Sequence, residues 1–65
     1  MKNAVSERRG ERKLSQSALA QQVGVSRQTI IAIEKGRFDP SLPLAFRLAR
    51  AFEEPIESLF DPELP

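Results

Sequence analysis

The sequence predicts an all-α fold of five short helices, and three observations carry that prediction. No stretch alternates apolar and polar residues for long enough to make a strand, and the β-branched residues do not cluster. Apolar residues instead recur at helical spacing, in Leu19, Ala20 and Val23, in Ile30 and Ile33, and in Leu44, Ala45, Leu48, Ala49 and Phe52. Serine, glycine and proline punctuate these runs where helices begin and end.

The first helix is predicted from about Asn3 to Lys13, with Ala4, Val5 and Leu14 as its apolar residues. Gly10 lies inside it and costs about 1 kcal/mol relative to alanine. Ser15 offers an N-cap to a second helix, Gln16 to Val23, whose buried stripe is Leu19, Ala20 and Val23. Gly24 then suits the left-handed conformation that ends a helix, and Val25 follows as an apolar plug. Ser26 caps a third helix, Arg27 to Lys35, with Ile30 and Ile33 facing inward, and Gly36 ends it. Arg37 to Pro40 form a loop with Phe38 tucked into the core. Ser41 caps a fourth helix through Phe52, where Pro43 is tolerated because the first turn has no internal N–H partner to lose. Pro55 opens a short fifth helix through Phe60, and Pro62 and Pro65 mark a frayed end.

Composition narrows the classes of function. The 65 residues suffice for a single domain, 1–65, with a modest core, and small domains of this size lean on disulfides, metals or self-association. The chain has no Cys and no His, which removes the disulfide, the usual zinc ligands, the commonest general base and the best nucleophile. No nucleophile–base pair, phosphate-cradling glycine loop or metal cluster is visible, so no enzymatic activity, cofactor or small-molecule ligand is expected. No apolar run approaches the roughly 20 residues that cross a bilayer, and the opening MKNAVSERRG lacks a signal peptide's apolar stretch. A cytoplasmic protein without membrane attachment is the expectation. The net charge of +1 hides an asymmetry: residues 1–50 carry all ten basic and four acidic residues, a balance of +6, while residues 51–65 carry five acids and no base. A basic body with an acidic tail over 61–65 fits a polyanionic partner, although charge alone is also what an ordinary surface shows.

The segment 16–35, QSALAQQVGVSRQTIIAIEK, carries the functional reading. Ala20 is small where two helices would cross, Gly24 allows a tight reversal, and Leu19, Val23, Val25, Ile30 and Ile33 share one seam. That seam holds two short helices at a steep angle and leaves the outer face of the second free to enter a major groove.

With LSQSALAQQVGVSRQTIIAIEKGRFDPSL, and LAFRLARAF followed by PIESLF, the chain resembles the phage repressor and Cro type of helix-turn-helix domain, the XRE family. The resemblance runs from about Val5 to Phe60. It implies a compact five-helix lambda-repressor-like domain with the helix-turn-helix at the second and third helices. The implied role is a transcriptional regulator binding double-stranded DNA as a homodimer, with a repressor as the leading expectation. Ser26, Arg27 and Gln28 match the family's principal base-contacting positions. Their chemistry agrees, since Arg pairs bidentately with guanine and Gln with adenine. Ala32 matches a further base-reading position, where its methyl meets a thymine methyl. Ile31 lies on the same face, where either a thymine contact or partial burial against a neighbour accounts for it. Phosphate contacts are expected from Gln16 at the start of the second helix, from Lys35 and Arg37 beyond the third, and from Ser41. Lys35 and Arg37 also suit the negative end of the helix dipole. Arg9 and Glu34 match a partly buried family salt bridge that ties the first helix to the third.

The sequence departs from the family pattern in two places. Arg8 stands where Leu is usual, and Glu53-Glu54 replace a common Gly-Val pair. Glu53 then takes a left-handed conformation, or the connection changes shape. Phe46, Phe60 and Leu64 are the candidates for a dimer surface, an exposed apolar patch being the usual mark of one; the alternative is that Phe46 and Phe60 pack against the fifth helix within one protomer. An antitoxin-like module that binds DNA and a protein partner is the alternative function.

Overall fold

Residues 1–64 are described by a computed structural model, in which five helices form: α1 (Val5–Glu11), α2 (Gln16–Val23), α3 (Arg27–Glu34), α4 (Leu42–Ala51) and α5 (Ile56–Leu59). Pro65, the last residue of the predicted acidic tail, lies outside the described residues.

The serines cap as their chemistry dictates. Ser15 Oγ accepts from the Ala18 N–H at 3.0 Å, Ser26 Oγ from Thr29 at 3.2 Å and Ser41 Oγ from Leu44 at 3.3 Å. Gly24 ends α2 at φ 78°, so that the Val25 N–H returns to the Ala20 carbonyl at 3.0 Å. Gly36, at φ 73°, does the same service for α3, with Arg37 N–H on the Ala32 carbonyl at 3.0 Å.

Several sequence expectations are corrected. A small antiparallel ribbon exists where no strand was expected: β1 (Lys2–Asn3) pairs with β2 (Phe60–Asp61), Lys2 opposite Asp61 and Asn3 opposite Phe60. Two residues per strand are too few to leave an alternating pattern. Helix α1 is accordingly shorter than Asn3 to Lys13. Asn3 belongs to the ribbon and caps α1 from outside, its Oδ1 accepting from the Val5 N–H at 3.1 Å, while Lys13 turns the chain away at φ 56°. Helix α5 loses a residue at each end, because Pro55 stays extended and Phe60 enters β2.

Phe38 is 46% exposed rather than tucked inward. Met1 instead packs against the core, its amino group reaching Gly36 O at 3.4 Å and Asp39 Oδ1 at 3.0 Å, on residues that flank Phe38 in sequence. Phe60, a candidate for the dimer surface, is only 6% exposed and joins the core. Val5, Leu19, Ile30, Ile33, Leu48, Phe52 and Leu59 are the largest wholly buried side chains, so every helix gives at least one residue to a single cluster. Helix α2 packs against both α3 and α4, which sets the angle at which α3 leaves the body.

Candidate nucleic-acid interface

Helix α3 is held from below by one carboxylate. Glu34 Oε2 accepts from Arg9 Nε at 2.8 Å, and Glu34 Oε1 accepts from Arg9 Nη2 at 3.3 Å and from Gln16 Nε2 at 3.1 Å. Arg9 Nη1 also donates to the Leu14 carbonyl at 3.0 Å. Three elements thus meet on Glu34, whose side chain is 8% exposed. A nearly buried carboxylate demands such partners, because an unpaired charge away from water is costly. The Glu34 hydrogen bond raises the Arg9 guanidinium above its ordinary value, against a smaller opposing effect of burial, with the Glu34 charge adding to the rise. A second tie comes from the ribbon: Asn3 Nδ2 donates to the Ile33 carbonyl at 2.8 Å, satisfying an orphan acceptor at the end of α3.

On the outer side, Ser26, Arg27 and Gln28 are exposed in the first turn of α3. Ile31 and Ala32 are partly buried one turn further along, beneath Arg27 and Gln28 at i+4 spacing. An α-helix with side chains is about 10–12 Å across and the B-DNA major groove about 12 Å wide, so this surface has the shape to enter it. The Ser26 hydroxyl is engaged locally, accepting from the Thr29 N–H and lying 3.1 Å from Thr29 Oγ1. Lys35, Arg37 and Ser41 are exposed just beyond α3.

Gln16 is placed differently from its neighbours. Its amide nitrogen is committed to Glu34, which leaves the carbonyl oxygen and the backbone N–H groups of the α2 start for the outside. The sequence held no signal for this link, because Gln16 and Glu34 lie on separate helices. The dimer candidates divide as well. Phe46 is 52% exposed, Leu64 is exposed, and Phe60 is inside. Leu42, passed over in the sequence, is 63% exposed one turn before Phe46. Among the described residues no group of His, Cys, Asp and Glu is arranged to hold a metal ion, and no helix is long and apolar enough to cross a membrane.

Comparisons with known proteins bear on this arrangement. The helix-turn-helix family matches residues 5–59. An uncharacterised HTH-type transcriptional regulator of Methanothermobacter thermautotrophicus is 56% identical over 61 residues, 92% of this chain and 88% of that protein. Another, from Methanocaldococcus jannaschii, is 55% identical over 60 residues, 92% of this chain and 91% of the relative. Among solved structures, the restriction-modification controller protein C.AhdI from Aeromonas hydrophila is similar at a TM-score of 0.78 and 32% identity, over 86% of this chain and 85% of that one. With the fold, the braced α2–α3 unit and these likenesses in agreement, the chain belongs to the helix-turn-helix family of the phage repressor and Cro type and is a DNA-binding transcriptional regulator.

Proposed function

We propose that this regulator is a sequence-specific, dimeric repressor that acts on double-stranded DNA in the cytoplasm and reads the major groove with α3. The observation that carries the reading is the exposure of Arg27 and Gln28 in the first turn of a helix whose far end is anchored by Glu34 and Asn3. Arg27 is assigned to a guanine, through O6 and N7, and Gln28 to an adenine, through N6 and N7. Ile31 and Ala32 supply apolar surface for thymine methyls. Ser26 joins them through whichever hydroxyl valence its cap leaves over. Lys35, Arg37 and Ser41, with the free N–H groups opening α2 beside Gln16, hold the phosphates and position the reader.

A small core and an exposed apolar stretch on α4 support self-association, and two copies side by side suit paired half-sites. Repression follows from occupancy of a site that polymerase needs. The names of the relatives speak for regulation, and none of them for the antitoxin alternative.

Selection of bound duplexes from random DNA tests the proposal. The expected result is a near-palindrome with half-site centres about one helical turn apart and a guanine–adenine element in each half. Recovery of no sequence preference over bulk competitor at low ionic strength would overturn it. Repression is tested by placing the selected site over a reporter promoter, where increased output would assign the opposite sign.

A further inference from the structure

The far end of α3 opens on a hollow of about 420 Å³. Four charged side chains line it: Lys2 on β1, Glu34 and Lys35 at the close of α3, and Glu63 beyond β2. Their commitments differ. Glu34 is nearly buried and bonded to Arg9 and Gln16. Lys2, Lys35 and Glu63 take part in no ion pair among the described residues, although Lys2 stands opposite Asp61 in the ribbon. Two ammonium groups and one carboxylate are thus left to act on whatever enters.

Their placement is fixed by the backbone on either side. Lys2 lies between Asn3, whose Nδ2 donates to the Ile33 carbonyl at 2.8 Å, and Met1, whose amino group reaches Asp39 Oδ1 at 3.0 Å. Glu63 is turned by a local device, its N–H donating to Asp61 Oδ1 at 2.9 Å with φ at 57°. Scale says what meets this hollow. The eight residues of α3 rise about 12 Å, close to the width of the major groove. With Arg27 and Gln28 against base edges, the other end of α3 stands at the rim of the groove, where the phosphates run.

We propose that this hollow is a further phosphate seat for duplex DNA, in which Lys2 joins Lys35 on the backbone and Glu63 screens both cations until a phosphate displaces it. This rests on the DNA-reading function above and adds to it a contact from outside the helix-turn-helix. Lys2 and Glu63 act on any sequence with opposite sign, because a phosphate carries charge and no base identity.

Anisotropy titrations of the full chain test it, on selected and random duplexes over a range of salt. A duplex with one half-site keeps self-association out of the readout, and circular dichroism confirms that each variant is folded. Lys2→Gln is expected to weaken both duplexes about fivefold at 0.15 M salt and to lower the slope of log affinity against log salt by about one. Glu63→Gln is expected to strengthen both by about two- to threefold, an effect that fades as salt rises. Arg47→Gln and Glu57→Gln, which change the same charges on other faces, are the controls and are expected to move neither quantity by as much. A Lys2→Gln slope equal to that of the wild type, or effects of Lys2→Gln and Glu63→Gln no larger than those of their controls, overturn the seat while the wild type still prefers the selected duplex. A wild type with no such preference overturns the DNA-reading proposal itself.

Discussion

Arg27 and Lys35 lie two turns apart at opposite ends of α3, and the proposed function assigns them different work. Arg27→Ala is expected to cost about 1–3 kcal/mol on the selected site and to relax preference at one base position. Lys35→Ala is expected to weaken selected and random duplexes alike and to lower the slope of log affinity against log salt by about one. Anisotropy titrations over a range of salt separate the two, and equal losses on both duplexes for Arg27→Ala would defeat its assignment. Arg8 and Glu54 teach a different lesson. The sequence shows them as two unrelated departures from the family pattern. In space they are one contact: Arg8 Nε donates to Glu54 Oε2, while Arg8 Nη1 holds Glu7 at 2.8 Å. A single charge where the family has an apolar residue is costly, and two opposite charges together relieve each other. No local spacing betrays a pair separated by 46 positions, which is why the match was illegible in one sequence. The hydrogen bond to Glu54 raises the Arg8 guanidinium above its ordinary value, against a smaller effect of burial. For both Arg8 and Arg9 the sign is that of a raised base. Their contribution is complete below the ordinary guanidinium range and is lost only as pH climbs through the raised value. Salt rather than pH is therefore the experimental lever on these two cations.

The helices themselves were largely legible, because serine caps and terminal glycines are short-range devices. Segments decided by distant contacts were not. Phe38 stays exposed while Met1 packs against the core, and the start of α1 and the end of α5 are trimmed by a ribbon that joins residues from opposite ends of the sequence. Within α1, Gly10 is exposed and a Cβ built on it meets nothing within 4 Å. Gly10→Ala is accordingly expected to stabilise the fold by about 1 kcal/mol and to raise Tm by roughly 4–8 °C. An unchanged or lower Tm would mean that α1 is not helical there. The connection after α4 invites the opposite change. Glu53 is held at φ 56°, a conformation that a side chain tolerates at a cost of about 1–2 kcal/mol. Glu53→Gly is expected to recover about 1 kcal/mol in a urea denaturation series. Between α1 and α3, Arg9→Met leaves the Glu34 carboxylate with only the Gln16 amide for a partner and is expected to destabilise by about 2 kcal/mol. The double variant Arg9→Met/Glu34→Met is expected to lose less than the sum of its parts, with a coupling of about 1–3 kcal/mol in the double-mutant cycle. Simple additivity would show that the bridge contributes nothing of its own.

For the whole molecule, size sets the footprint. The protomer measures 34 × 21 × 19 Å, so in the proposed dimer two copies side by side would bring their α3 helices to a separation of the same order as one turn of B-DNA, about 34 Å. Inserting about half a turn of duplex between the half-sites is expected to reduce binding to that of one half-site, since the second helix then faces the wrong side of the DNA. Gel-shift competition between the native and the lengthened site measures this, and equal affinity would exclude a rigid dimer. The charge asymmetry read from the sequence has a place in this picture. Glu53, Glu57 and Asp61 fall on α5 and its flanks, away from the exposed first turn of α3 in sequence and on a different element.

The ribbon has a consequence for how the reading helix ends. Asp61 and Phe60 hold Lys2 and Asn3, and Asn3 in turn holds the carbonyl of Ile33. A cut that removed 60–61 would therefore do more than fray a tail. It would take Phe60 out of the core and slacken the last turn of α3, so the helix proposed to enter the groove is steadied by residues almost thirty positions downstream.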